Sequence, residues 1–419
     1  MRKYFLILVI LALFPISSAA QIIAIKAGRL IDVESGTFSL SQIILIEGKT
    51  IKEVGPKVTI PRGAQVIDLT GSTVLPGLFD CHTHLCQMYG TVATPGHGDV
   101  LLNAVTISTA RRVLWGVKNA REYLLYGFTT VRGAGNAGLH GESDLRWAVE
   151  NKIIDGPTII SAGRALAPFG GQIQLSPEFP GLAEPEYIIA DTRDEILKAI
   201  RQNIHFGALV IKIIVDNQKY VYSIGDIKYI VEVAAASGLK VAAHVGTAQG
   251  LRNAILGGVA SVEHAFRAPD SLLIMMRERG IYLVGTDLPK EILPIAGAPP
   301  SRVEEIYKNI IIDRLRRAYN IGVPIAFGTD VYFPLRDLSR GQIALLYLQS
   351  FVDAGIPPRD ILKMMTINAA RLLGVEKERG TLKPGMMADI IAVPGDPLKD
   401  IFVLQRVSFV MKDGRVIEE

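Results

Sequence analysis

The stretch Leu75-Pro76-Gly77-Leu78-Phe79-Asp80-Cys81-His82-Thr83-His84 decides the architecture, because Leu78–His84 reads as the first of a series of short strands. Successive side chains on a strand point to opposite faces. Asp80, His82 and His84 therefore share one face, and Cys81 points away from them. Working outward, seven further stretches read as strands: Phe128–Arg132, Thr158–Ser161, Leu209–Val215, Val241–His244, Ser261–His264, Tyr282–Gly285 and Ile325–Asp330. Helical patterns fall between most of them, as at Thr192–His205, Asp226–Ser237, Ala248–Leu256 and Ile306–Tyr319. Alternating β and α argues for a parallel sheet, and eight such units argue for an α/β fold of the (β/α)₈ TIM-barrel type. An open doubly wound sheet is the alternative, but no Gly-rich phosphate loop follows the first strand.

Both chain ends read differently. Short apolar segments at Ile22–Ile25, Gln42–Ile46, Thr50–Val54 and Gln65–Leu69 recur at strand spacing, as do Asp389–Val393, Val407–Met411 and Arg415–Ile417. Turns such as Pro61-Arg62-Gly63 and Lys412-Asp413-Gly414 separate them. The expected organisation is a small β-sandwich built from 21–75 and 378–419 around a barrel of 76–377. Residues 1–20 form a separate element. A basic head, Arg2-Lys3, precedes an apolar run and then the small residues Ser17-Ser18-Ala19-Ala20. That order reads as a cleaved secretory signal and predicts a periplasmic or secreted protein. The apolar run is too short to span a bilayer comfortably, so no stable membrane association is expected after cleavage.

The chain of 419 residues is 21% charged and 49% hydrophobic, which suits a packed globular protein. The leader holds Arg2 and Lys3 and no acid, so its removal takes the formal charge from +4 to +2. A nearly neutral protein gives a nucleic-acid partner no electrostatic support. Two cysteines, Cys81 and Cys86, exclude a disulfide framework, and buried unpaired thiols are expected.

Of the seven histidines, His82, His84, His244 and His264 end candidate strands, the place where barrel enzymes build their sites. An HxH pair can present two imidazoles to one metal ion, although a solvent-facing pair is an ordinary alternative. Asp80 shares their face and is a candidate acceptor behind the ligands. Lys212 lies in a wholly apolar stretch, and a buried ammonium is costly unless neutralised. An anionic partner or carboxylation by CO₂ would do so, and snorkelling to the strand end is the plain alternative. Asp330 ends the last strand, where it could bind metal and accept a proton or merely cap a helix.

Taken together, His82-Thr83-His84, Lys212, His244, His264 and Gly328-Thr329-Asp330 resemble the ligand set of the binuclear amidohydrolase superfamily. Thr366–Gly374 and Gly380–Asp389 resemble its closing segment, so the likeness spans nearly the whole mature chain. The resemblance implies two divalent ions, zinc by default, with manganese or cobalt as substitutes. His82, His84 and Asp330 would hold one ion and His244 and His264 the other. Carboxylated Lys212 would bridge them, together with a hydroxide that attacks the scissile carbonyl. Asp330 would act as the catalytic base.

The branch most similar in style is that of exported metal-dependent prolidases and imidazolonepropionase-like proteins, which implies cleavage of dipeptides or N-acyl amino acids. Two positions depart from that branch: Gln172 follows Gly170-Gly171 where a histidine is usual, and Val245 follows His244 where an aromatic is usual. Gln172, His140, Arg164 and Tyr222 are the candidate substrate-binding residues. The rival readings are hydrolysis of cyclic amides, lactones or carbamates on the same core, and a non-catalytic periplasmic binding protein. The expected partner is a small-molecule substrate, and the family's habit of symmetric assembly makes a homo-oligomer plausible.

Overall fold

The computed structural model describes residues 21–418 except 88–101, 103, 136, 174, 217–219 and 336, so the segment 1–20, expected to be a leader, lies outside the described residues. Both chain ends meet in one seven-stranded sheet. Its strands are β1 (Ile22–Asp32), β2 (Thr37–Glu47), β3 (Thr50–Gly55), β4 (Gln65–Pro76), β14 (Ile390–Val393), β15 (Phe409–Lys412) and β16 (Arg415–Val416), in the order β16-β15-β14-β4-β1-β2-β3. The strands run longer than the apolar segments that reveal them, because their outer ends carry exposed polar residues such as those of Thr37–Glu47. Alternate residues Ile23, Ile25, Ala27, Ile44, Ile46, Ile390 and Ala392 build a core separate from the rest of the molecule. Where the sequence suggests a two-sheet sandwich, the hydrogen bonding is that of one continuous sheet.

β1 pairs with β4 in parallel, and the register slips between Ala27 and Arg29. Gly28 sits at the slip, where a Cβ would lie 2.0 Å from the Thr70 carbonyl oxygen. A backbone atom cannot rotate away as a side chain can. Gly28→Ala is therefore expected to destabilise the protein by about 1–3 kcal/mol in urea unfolding. An unchanged midpoint would show that the strands slide apart at no cost.

The middle of the chain alternates strand and helix as expected. β5 (Leu78–Thr83), β6 (Phe128–Gly133) and β7 (Thr158–Ile160) form a parallel sheet, with α1 (Thr109–Leu125) and α2 (Gly141–Glu150) in the connections. A second sheet has the order β13-β12-β11-β10-β8-β9. It contains β8 (Ala165–Ala167), β9 (Tyr187–Ile189), β10 (Val210–Ile214), β11 (Lys240–Val245), β12 (Ser261–His264) and β13 (Tyr282–Val284). Helices α3 (Arg193–His205), α4 (Ile224–Ala235), α5 (Ala248–Gly257) and α6 (Asp270–Arg279) alternate with these strands. α3 starts where Thr192 and Glu195 form a capping box. Ile211, Ile213, Val241, Ala243 and Val262 on the strands share an apolar core with Ile196, Ile227, Leu251 and Leu273 of the helices.

Four elements differ from the sequence reading: the segment Ile325–Asp330, the strands β8 and β9, and the helix over Ile306–Tyr319. Ile325–Asp330 is not a strand. Its ladder contacts are the parallel bridges Leu283↔Ile325 and Thr83↔Val331, and the Cys81 amide, which donates to the Phe327 carbonyl at 2.8 Å, helps tie the segment between β13 and β5. Asp330 takes a left-handed φ of 60°, which interrupts a continuous ladder there. The short strands β8 and β9 have too few residues to show an alternation. The pattern over Ile306–Tyr319 is also broken, since a π-helical stretch, Tyr307–Ile312, precedes the α-helix Asp313–Ile321. Cys81 and Cys86 are free and buried, as expected.

Candidate metal centre

Strand alternation aims the site. Ile211 and Ile213 face the helices, so Lys212 between them faces the opposite side, and Ala243 and Val245 do the same for His244. Cys81 joins Phe79 and Val284 in an apolar cluster, which leaves His82 to face inward. His264 breaks the rule. Glu263 lies on the inner face with Ser261, so alternation would turn His264 outward. A left-handed φ of 67° at His264 instead brings its ring to a centroid distance of 5.1 Å from that of His82. Ala265, Thr286 and Asp330 also have positive φ, and such strain in non-glycine residues gathers where function demands a particular geometry.

The four imidazoles form a row. Ring centroids are separated by 5.4 Å from His84 to His82, 5.1 Å from His82 to His264 and 4.5 Å from His264 to His244. Asp330 Oδ1 stands 3.0 Å from His84 Nε2 and 3.7 Å from His82 Nε2. Ligand atoms of His82, His84 and Asp330 all lie within 4.8 Å of one another, a spacing that suits a single ion. Gly328 permits this approach, since a Cβ there would meet Val284 at 2.4 Å and His82 at 3.1 Å. The Asp330 amide also donates to the His82 carbonyl at 2.8 Å.

Three of the rings, those of His82, His84 and His264, are oriented from behind. His82 Nδ1 donates to Glu263 Oε2 at 2.7 Å, and His84 Nδ1 donates to the Gly135 carbonyl at 2.8 Å. Both Nε2 lone pairs are thereby left for the cleft. His264 Nδ1 is hydrogen-bonded to Thr286 Oγ1 at 2.8 Å. Burial, reinforced by neighbouring Lys212 and His84, holds His82 well below the ordinary imidazole pKa. Burial and His244 do the same to His264. Burial also pulls the Lys212 ammonium down to about 8.

Sequence reasoning missed Glu263. Its carboxylate accepts from His82, from Arg132 Nη2 at 2.6 Å and from Ser261 Oγ at 2.6 Å, all fully buried. The available signal was an acid immediately before His264, two residues after Ser261 on the same face of β12. Asp80, the expected acceptor, does something else. It takes the His82 amide at 3.0 Å and the Thr329 hydroxyl at 2.6 Å, fastening the Asp330 segment to β5, while burial pushes its carboxyl up to about 7.

A cleft of about 340 Å³ opens over the row, lined by His82, His84, Lys212, His244, His264 and Asp330. Gln172 lines it too, and so do the apolar side chains Ile173, Ile214, Val245 and Phe266. His140, Arg164 and Tyr222 are not part of that lining. His140 stacks on Phe206 with centroids 4.5 Å apart, Arg164 Nη1 donates to the Glu184 carbonyl at 2.7 Å, and the Tyr222 hydroxyl donates to the Ala190 carbonyl at 2.8 Å. In these contacts each holds backbone or packs against a neighbouring ring, apart from the residues that line the cleft.

Known proteins share this framework. An ochratoxinase from Aspergillus niger is 30% identical over 443 aligned residues, which cover 95% of this chain and 87% of that protein. An imidazolonepropionase from Geobacillus kaustophilus is 25% identical, with 96% and 94% of the two chains covered. The solved structure of a Xaa-Pro dipeptidase with methionine bound in its active site superposes with a TM-score of 0.82 at 29% identity, covering 95% of this chain and 100% of that one. The model of the Amidohydrolase family matches residues 73–417, a span that includes every candidate ligand described above. The chain belongs to the amidohydrolase family, whose members here are hydrolases of carbon–nitrogen bonds.

Proposed function

We propose that this protein is an exported hydrolase that cleaves the amide bond of dipeptides or N-acyl amino acids at a pair of divalent cations. The convergence of His82, His84 and Asp330 in one cleft with His244, His264 and Lys212 carries the reading. The donor set fits such ions. Two Nε2 lone pairs and a carboxylate meet at one point, and two more imidazoles stand beside them. A buried lysine whose ammonium is disfavoured by its surroundings suits carboxylation, in which the neutral amine adds to CO₂ and releases a proton. Carboxylated Lys212 would then reach both ions. Bound there, the ions, with zinc as the default, would acidify the attacking water and polarise the scissile carbonyl.

The remaining work falls to the chain. Asp330, 23% exposed at the cleft, accepts the proton of the attacking water at Oδ1 and returns it to the leaving nitrogen. Glu263 and the Gly135 carbonyl keep His82 and His84 in the tautomer that presents Nε2. We further propose that the central strands close into a (β/α)₈ barrel over 76–377, with 21–75 and 378–419 as a β domain of their own. The Leu209 amide donating to the Ser161 carbonyl at 2.8 Å, between the ends of β7 and β10, supports that closure.

The reading is tested by incubating zinc-loaded protein with pooled dipeptides and N-acyl amino acids and following released amino acids by mass spectrometry. Release is expected from the untreated protein, its loss after exhaustive chelation, and its return on adding zinc. Absence of release from every pool by metal-loaded protein would defeat the reading and move the search to cyclic amides, lactones and carbamates. Turnover that survives complete metal removal would defeat the metal assignment.

A further inference from the structure

Gln172 stands at one end of the histidine row and Asp330 at the other. Its amide nitrogen lies 3.5 Å from His244 Nδ1 and 3.4 Å from His244 Nε2, whereas Asp330 contacts His84. Two ring nitrogens on either side of one carbon cannot both be met in line from a single point. A neutral imidazole offers only one acceptor nitrogen, so at most one proton of the NH₂ group is taken up by this long contact and the other is left for the cleft. The other end of the amide is anchored. The Tyr187 hydroxyl, on a side chain only 2% exposed, donates to Gln172 Oε1 at 3.1 Å. Gly170 and Gly171 both take positive φ, 90° and 53°, and a Cβ on Gly171 would sit 3.1 Å from the Tyr187 ring. The turn is thus pressed onto the aromatic ring that orients the amide. With its oxygen held by a donor, Gln172 presents N–H to the cleft beside Ile173, Ile214 and Val245.

The direction of the reaction says which part of a substrate arrives there. Asp330 hands a proton to the leaving nitrogen, so the amine half lies toward Asp330 and the acyl half extends toward Gln172. We infer that Gln172, aimed by Tyr187, receives a neutral hydrogen-bond acceptor on the acyl side of the substrate, so the site favours N-acylated substrates over dipeptides with a free α-ammonium. The inference rests on the amide-hydrolase reading above. A carbonyl on that side accepts from the carboxamide, whereas an ammonium sets donor against donor among apolar side chains.

The test compares kcat/KM for a dipeptide and for the same dipeptide N-acetylated, so that the scissile bond and leaving amino acid are identical, using zinc-loaded protein. Wild type is expected to favour the acetylated form by at least about tenfold, the scale of one mismatched polar group. Gln172→Glu, an acceptor with negative charge, should abolish or reverse that ratio. Tyr187→Phe, which frees the amide to turn its oxygen inward, should narrow it while the acetylated substrate is still cleaved. A wild-type ratio near one, or a preference that Gln172→Glu leaves intact, would overturn the assignment and leave the amide-hydrolase reading standing. An unchanged ratio in Tyr187→Phe would remove Tyr187 from it. Release from neither substrate would remove both the assignment and the reading beneath it.

Discussion

Asp330→Asn lowers kcat by roughly 10²–10⁴-fold in the expected outcome, the range that a positioned acid–base group supplies. The substitution keeps size and shape. Asparagine also tolerates the left-handed φ of 60° found at this position, so the backbone hydrogen bond to His82 should survive. What changes is the chemistry at Oδ1, which stands 3.0 Å from His84 Nε2. A carboxamide oxygen is a weaker ligand and does not take a proton at neutral pH. Two causes of inactivity can be separated by measuring bound metal alongside turnover. If only affinity is lost, added zinc restores kcat. If proton transfer is lost, kcat stays low with the site saturated. A variant within about threefold of wild type would remove Asp330 from proton transfer, since far more is expected of such a group.

The second large effect lies behind the ligands. Glu263→Gln is expected to destabilise the metal-free protein by about 3–5 kcal/mol, the cost of stranding a buried charge. Arg132 is fully buried and directs Nη2 to Glu263 at 2.6 Å, while Nη1 donates to Ser261 Oγ at 2.9 Å. Removing the carboxylate's charge leaves the guanidinium unpaired and sets an amide N–H against either Arg132 or His82. Replacing Arg132 by Met in the same chain removes the stranded charge, so the double variant should recover much of the loss. Because Glu263 also fixes the His82 tautomer, metal affinity should fall by about 10–100-fold in both variants. Urea unfolding of the chelated protein and competitive zinc titration read the two effects separately. Glu263→Gln unfolding within about 1 kcal/mol of wild type would contradict the pairing, which predicts several times that loss.

The sequence alone determined the strand-and-helix alternation and most of the polar side chains that meet in the cleft. Those features are local. An HxH spacing settles that two side chains share a face, and a lysine between Ile211 and Ile213 is committed to the face the isoleucines leave. Periodicity carries such information because backbone geometry, not distant packing, decides which way neighbouring side chains point. The same logic made Asp80 the natural partner of the His82 ring, and there it failed. The ring is held by Glu263, 181 residues away, and Asp80 binds Thr329, 249 residues away.

Loop residues showed the limit most plainly. Nothing in a single sequence separates a tyrosine that lines a cleft from Tyr222, which ties down the Ala190 carbonyl. Alternation would also have turned His264 outward, and only its left-handed φ returns it to the row. Tertiary structure alone decided which carboxylate, carbonyl and hydroxyl stand behind His82, His84 and His264, and that Tyr187 aims Gln172. Each is a hydrogen bond between different elements of the fold, from 15 to 181 residues apart, whose meeting depends on how whole strands and loops pack against one another.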